Sequence, residues 1–167
     1  MTKKISICAL FTAFAVILSY VETMLPSVAI PGVKLGLANF SILLILYLID
    51  GKYAFLVNVC RILIIGFMFG NLFTIVFSLV GATVSILAMI IMKKIKVSII
   101  TVSMVGGVAH NLGQIIVAGF IVESYSVFYY LPTLIIVGMI TGTVIGILIK
   151  LVYKRIEQFF IKAGVIE

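Results

Sequence analysis

Six runs of apolar residues, separated by short polar breaks, constrain this chain more than any other feature of its sequence. A bilayer core about 30 Å thick needs a helix of about 20 mostly apolar residues to cross it. We therefore predict membrane-spanning helices over residues Ile5–Met24, Leu35–Ile49, Tyr53–Phe69, Leu72–Met92, Val97–Val122 and Tyr130–Val152. The run Ile86–Met92 is apolar at every position, which excludes the alternating pattern of a membrane β-barrel.

The composition supports an integral membrane protein. Hydrophobic residues make up 64% of the chain and charged residues 10%, whereas about a quarter of the residues in a soluble domain are charged. This balance excludes a soluble enzyme, a disordered chain and a disulfide scaffold. Because little of the chain is left outside the apolar runs, we predict that residues 1–167 form a single all-α transmembrane domain of six helices.

The net charge of +7 is explained by where the basic residues lie. Lysine and arginine next to short loops remain in the cytoplasm. If the N-terminus is cytoplasmic, so are ten of the twelve basic residues: Lys3, Lys4, Lys52, Lys93, Lys94, Lys96, Lys150, Lys154, Arg155 and Lys162. This bias predicts that both termini are cytoplasmic, and it excludes nucleic acid as the partner that the positive charge serves.

Several polar residues occur within or beside the apolar runs, where they are costly unless they face protein or water. From the predicted spans, they share one layer between the middle of the bilayer and its outer surface. Arg61, for example, lies eight residues into the third span, at a depth of about 12 Å. We predict a substrate-binding pocket that opens to the outside and is formed by Glu22, Lys34, Asn39, Arg61, His110, Asn111 and Gln114.

The residue types in this layer favour a polar or anionic ligand. Lys34, Arg61 and His110 supply positive charge, and the amides of the set supply directional hydrogen bonds. Structural interpretations remain open beside this one. Arg61 can form a buried ion pair with Glu22, and Lys34 can extend its amine to the outer headgroups. Asn58 and Asn71 are interpreted as an interhelical hydrogen-bonding group and a turn cap.

Small residues recur at every fourth position on three of the predicted spans, a spacing that lets helices approach closely. For Gly66 and Gly70, and for Gly138, Gly142 and Gly146, we expect packing inside the bundle. Ala9 and Ala13 on the first span are equally compatible with a surface for another membrane protein.

No catalytic motif is present in the sequence. It contains no aspartate-rich motif, no nucleophile–histidine arrangement and no phosphate-binding loop. Only five carboxylates occur, at scattered depths. We therefore expect a protein that is not an enzyme and that needs no metal and no other cofactor.

Several stretches resemble one bacterial family, known as Gx transporter or heptaprenyl diphosphate synthase component I. They cover nearly the whole chain: Ala9–Ala13 with Glu22, Pro31–Asn39, Arg61 with Gly66 and Gly70, Phe77–Gly81, Gly106–Gln114 and Tyr129–Pro132. The family in turn resembles the S-components of energy-coupling factor (ECF) transporters, which are six-helix proteins of the bacterial cell membrane.

This resemblance implies a transport function with partner subunits. S-components bind small molecules from outside and dock through an Ala-x-x-x-Ala pattern on the first helix, which Ala9 and Ala13 match. Their partners are a transmembrane T-component and two ATPases. The synthase label implies an alternative, a non-catalytic accessory subunit of isoprenoid or quinone synthesis. The sequence departs from polyprenyl synthases, which carry aspartate-rich magnesium sites.

Overall fold

The computed structural model describes residues 2–24, 36–162 and 164. These residues form six α-helices, with a short 3₁₀ helix at Tyr125–Tyr130 between the last two. The α-helices are α1 (Thr2–Met24), α2 (Leu37–Leu48), α3 (Gly51–Phe69), α4 (Leu72–Lys94), α5 (Ile99–Val122) and α6 (Leu131–Lys162). The described part of the chain contains no strand, so the predicted all-α class is confirmed there.

Five helical segments in the described residues are long and apolar enough to cross a membrane, which makes this a multi-pass membrane protein. They are Lys3–Met24, Gly51–Phe69, Leu72–Lys94, Ile99–Val122 and Tyr125–Lys162. Helix α2 has 12 residues, so it is about 18 Å long and shorter than a bilayer core. The predicted number of helices is confirmed, whereas the predicted number of membrane crossings stays a prediction.

Polar caps set the starts of three helices. The side chain of Asp50 accepts a hydrogen bond from the Gly51 amide at 2.7 Å, and that of Ser98 accepts one from the Thr101 amide at 3.1 Å. Asn71 accepts from the Thr74 amide at 2.9 Å, which confirms its interpretation as a turn cap. Such caps satisfy amides that have no partner within the helix.

Helix α6 continues ten residues beyond Val152, where we predicted that the last span ends. Charged residues end the apolar run at this point, but they do not end the helix. Ile156 and Phe160 recur at helical spacing and pack against the core of the bundle. The boundary of an apolar run therefore underestimates the length of a helix whose last turns carry charged residues but keep one face buried.

Successive helices run in opposite directions, so that both ends of the chain lie at one end of the bundle. Lys3 Nζ donates a hydrogen bond to the Gly164 carbonyl oxygen at 3.2 Å. At the same end, Lys93 Nζ donates to the Leu46 carbonyl oxygen at 2.5 Å. We call this the terminal end, and the opposite end, where the Tyr20 and Phe69 rings lie 5.0 Å apart, the distal end.

Helix α2 lies at the centre of the bundle and packs against α1, α3 and α6. Every residue from Ser41 to Leu46 is buried. Because α2 is surrounded by other helices, it has no polar face. Ser41 is the exception within this stretch, and its hydroxyl donates to the Phe11 carbonyl oxygen at 2.9 Å.

Glycines allow α5 and α6 to approach within backbone contact. A Cβ atom on Gly142 would lie 2.7 Å from Met104 Cα, and one on Gly146 would lie 2.7 Å from Ile100 Cα. A Cβ on Gly107 would lie 2.6 Å from the Gly138 carbonyl oxygen. The α6 glycines thus pack inside the bundle, as their spacing predicts.

Candidate functional site

Six of the seven residues predicted to bind substrate line one cavity, between the middle of the bundle and its distal end. The cavity has a volume of about 50 Å³, and its lining comes from all six helices and Gly36. The lining residues are Glu22, Gly36, Ala38, Asn39, Arg61, Ser78, Gly107, His110, Asn111, Gln114 and Thr141. The structure thus brings together residues that lie far apart in the sequence. The most widely separated of the predicted residues, Glu22 and Gln114, are 92 positions apart.

Arg61 is held in place by neutral side chains. Its Nε and Nη2 atoms donate to Asn58 Oδ1 at 3.0 and 2.7 Å, and its Nη1 atom donates to Ser19 Oγ at 3.1 Å. Asn58 is buried one turn before Arg61 on α3, and Ser19 is buried on α1. These contacts orient the guanidinium at the cavity. Because both partners are neutral, they do not cancel its positive charge.

Glu22 joins α1 to the start of α2. Its Oε1 atom accepts a hydrogen bond from the Gly36 amide at 2.5 Å. Gly36 has a positive φ of 73°, a conformation that favours glycine. The hydrogen bonds of Arg61 thus go to Asn58 and Ser19, while the Glu22 carboxylate lines the same cavity and is a charged neighbour of the guanidinium.

Helix α5 presents three of the predicted residues. Close contacts on both sides of these residues let the neighbouring helices α4 and α6 close around the cavity. A Cβ on Gly113 would lie 2.9 Å from Gly81 Cα on α4. On the opposite side, Asn111 Nδ2 donates to the Leu134 carbonyl oxygen of α6 at 2.8 Å. The stretch Gly106–Gln114 therefore combines close packing with polar groups that face the cavity.

A second cavity of about 200 Å³ adjoins the first toward the distal end, between α1, α3 and α4. The two cavities share Glu22, Arg61 and Ser78 in their linings. The second cavity is bounded in addition by apolar side chains of α3, including Ile62, Ile65 and Phe69. Arg61 thus lies where a polar space and a partly apolar space meet.

The remaining predicted residues lie elsewhere. Lys34 falls outside the described residues, so its predicted position at the cavity is not tested. Ala9 and Ala13 are both exposed on the outer face of α1, away from the cavity. Within the described residues, no three His, Cys, Asp or Glu side chains cluster so as to hold a metal ion.

Sequence reasoning missed the hydroxyl groups at the site. Ser19 bonds to Arg61, and Ser78 and Thr141 line the cavity. Ser19 lies three residues before Glu22 and shares its helix face, which is the pattern that points to it. Ser78 lies in the family stretch Phe77–Gly81 but was not singled out there, and Thr141 had no indication, because isolated hydroxyl residues are common in membrane helices, where they bond to their own backbone.

The fold and the cavity define a class: a multi-pass helical membrane protein with a polar cavity buried between its helices. The family model for heptaprenyl diphosphate synthase component I matches residues 11–152 of the chain. The chain belongs to this family, as the sequence motifs predicted. Neither the comparison with curated proteins nor the comparison with solved structures returned a match.

Proposed function

We propose that this protein is a membrane transport protein that works as a substrate-binding subunit similar to ECF S-components. It captures a small polar or anionic metabolite from the extracytoplasmic side of a bacterial cell membrane. The chain itself is not catalytic, and partner subunits supply the energy. The observation that carries this proposal is the convergence of Glu22, Asn39, Arg61, His110 and Gln114 on one buried cavity.

The chemistry of the cavity supports a ligand that carries negative charge. The hydrogen bonds of the Arg61 guanidinium go to Asn58 and Ser19, both neutral, and Glu22, which lines the same cavity, is its charged neighbour without a direct hydrogen bond to it. A buried charge that has no direct ion pair is costly in a membrane. A ligand anion would offset this cost, while the amides of the site would select among anions by hydrogen bonding.

The orientation of the bundle supports capture from outside. The terminal end carries the ten basic residues that favour the cytoplasm, and the cavities lie toward the distal end. With both termini cytoplasmic, the cavities lie in the outer half of the membrane. The small volumes of about 50 and 200 Å³ favour a small ligand.

Native mass spectrometry of the purified full chain tests this proposal, because a bound ligand adds its mass to that of the protein. The metabolite identified is then titrated against Arg61→Ala, His110→Ala and the wild-type chain. We expect the substitutions to weaken binding at least tenfold and to leave the thermal unfolding temperature within a few degrees of the wild type. Asn71→Ala, which removes a helix cap away from the cavity, is the control and should bind normally.

Equal losses of binding and stability would instead assign Arg61 and His110 a structural role. A protein that retains no small molecule, and binds none from a cell extract, would overturn the capture function.

The proposed docking of partners uses the exposed face of α1 at Ala9 and Ala13. Replacing both alanines by tryptophan should abolish co-purification with a T-component and its ATPases, because bulky side chains prevent close helix approach. Val84→Trp with Leu87→Trp is a matched control on an exposed face of α4. Unchanged co-purification of the Ala9/Ala13 variant would refute this docking surface.

The family match supports a second candidate function. The family is described as a component of a heptaprenyl diphosphate synthase, which implies a partner subunit. In this alternative the chain is a non-catalytic membrane accessory subunit of isoprenoid or quinone synthesis. Co-purification of a soluble prenyl synthase, together with a bound prenyl diphosphate, would favour it over transport.

A further inference from the structure

An apolar groove runs between α1 and α6 near the terminal end of the bundle. Each of these helices packs on α2, but among the described residues they have no extensive contact with one another. The groove has a volume of about 480 Å³, and α2 forms its floor. Its lining residues are Leu10, Phe11, Phe14, Phe40, Leu44, Arg155, Ile156, Phe159 and Phe160.

The groove is lined by apolar side chains except at one position, Arg155. The rings of Tyr47 and Tyr153 lie 5.9 Å apart, so Arg155, two residues further along α6, lies level with the C-terminal end of α2. Helix α2 ends at Leu48 and is followed by the exposed Asp50, which places this level at the edge of the apolar layer. Phe40 and Leu44 lie deeper, one helical turn apart.

The charge around this edge is strongly positive. Lys4, Lys150, Lys154 and Lys162 are exposed on α1 and α6, near the same end. The one acidic residue of α6, Glu157, accepts a hydrogen bond from the Tyr153 hydroxyl. An apolar groove with one guanidinium in its lining, among exposed lysines, is complementary to a molecule with a hydrocarbon chain and an anionic head.

We propose that the groove is a binding site for an anionic phospholipid. One acyl chain lies between α1 and α6 on the floor formed by α2, and the phosphate group lies at Arg155. A bulk lipid makes only transient contacts with a flat helix face, whereas this groove contacts a chain from three helices. The proposal is independent of the transport function, since it concerns a different cavity at the opposite end of the bundle.

The chain contains no tryptophan, which allows a direct test by fluorescence quenching. Phe159→Trp places a single fluorophore in the groove at a side chain that is 67% exposed. The full-length variant is reconstituted in vesicles that contain phosphatidylglycerol and phosphatidylcholine, one of which carries brominated acyl chains. Bromine quenches only nearby tryptophan, so the ratio of quenching by the two lipids reports which one occupies the groove.

We expect the groove to prefer phosphatidylglycerol about fivefold, since a basic residue near a membrane surface contributes about 1 kcal/mol of attraction to anionic lipid. Phe67→Trp, at an exposed position on α3 outside the groove, is the control for bulk lipid and should show no such preference. Arg155→Gln should abolish the preference at Phe159→Trp. Lys154→Gln removes the same charge one residue away and should largely retain it.

Three results would overturn the proposal. The first is equal quenching of Phe159→Trp by the two brominated lipids. The second is a preference that survives Arg155→Gln. The third is an equal loss with Lys154→Gln and Arg155→Gln, which would show general attraction to the basic end of the bundle rather than a site.

Discussion

At the scale of single residues, Arg61 shows how a charge is accommodated inside a membrane bundle. Three of its nitrogen atoms donate hydrogen bonds, two of them to the single oxygen Asn58 Oδ1. Asn58 lies on the same helix one turn earlier, so the helix geometry itself supplies this partner. Asn58 therefore positions the arginine, and the cavity receives the charge.

The role of Asn58 leads to a prediction about stability. Asn58→Ala removes the acceptor of two guanidinium hydrogen bonds and should lower the free energy of unfolding by about 1–3 kcal/mol. In the double variant with Arg61→Ala the loss should be smaller than the sum of the two single losses, because no guanidinium is left to satisfy. Chemical or thermal unfolding in detergent measures all three variants. Additive losses would show that the two residues are not coupled.

At the scale of elements, the helices were predictable because each must satisfy its own backbone hydrogen bonds in a bilayer. The apolar runs therefore predicted all six helices, including α2, whose described bounds of Leu37–Leu48 fall within the predicted Leu35–Ile49. The extension of α6 was missed, because its last turns are stabilised by contacts of Ile156 and Phe160 with the core rather than by an apolar run.

The contact between α5 and α6 leads to a second prediction. A methyl group on Gly142 would meet backbone atoms of Ser103 and Met104 at 2.7 Å, and backbone cannot move aside easily. Gly142→Ala should therefore destabilise the protein by about 1–3 kcal/mol, the usual cost of overpacking. Gly119→Ala is the matched control, since its methyl group would meet only the ring of Phe128, an exposed side chain that can shift.

Thermal unfolding of the two glycine variants, in the same detergent, measures the difference. If Gly142→Ala is as stable as Gly119→Ala, the α5–α6 contact is looser than the structure indicates.

At the scale of the whole molecule, the alternating directions of the helices bring both termini to one end, as the contact between Lys3 and Gly164 shows. An even number of passes through the membrane follows if α2 counts as one of them. Helix α2 is too short to cross the bilayer by itself. The neighbouring helices cover it, so α2 contributes little to the lipid-facing surface.

The topology of the whole molecule can be tested by labelling. Single cysteines at Lys4, Lys52 and Glu123 are introduced into a chain in which Cys8 and Cys60 are replaced by alanine. A membrane-impermeant maleimide should label Glu123→Cys in intact cells, and Lys4→Cys and Lys52→Cys only after permeabilisation. Labelling of Lys4→Cys and Lys52→Cys from opposite sides would show that α2 does not complete a crossing.

The candidate site could be predicted in part. Residues such as Asn39, Arg61 and Gln114 stand out in the sequence because a polar residue in an apolar run is costly and needs a reason. Their depth followed from counting along each helix, and depth alone suggested a shared layer. Thr141 could not be predicted, because a hydroxyl group in a helix has an alternative partner in its own backbone, and Thr141 donates to the Val137 carbonyl oxygen.

By itself, the sequence determined the class of the fold, the approximate bounds of the helices and the layer in which the polar residues lie. These properties depend on the apolar environment of the bilayer and on the local pattern of apolar and polar residues. Both can be recognised one helix at a time. Only the tertiary structure decided that Arg61 bonds to Ser19, that Glu22 holds the start of α2, and that α1 and α6 leave a groove between them. These outcomes depend on which helix faces meet, and that is set by close contacts between residues far apart in the chain, such as those that glycines allow between α4, α5 and α6.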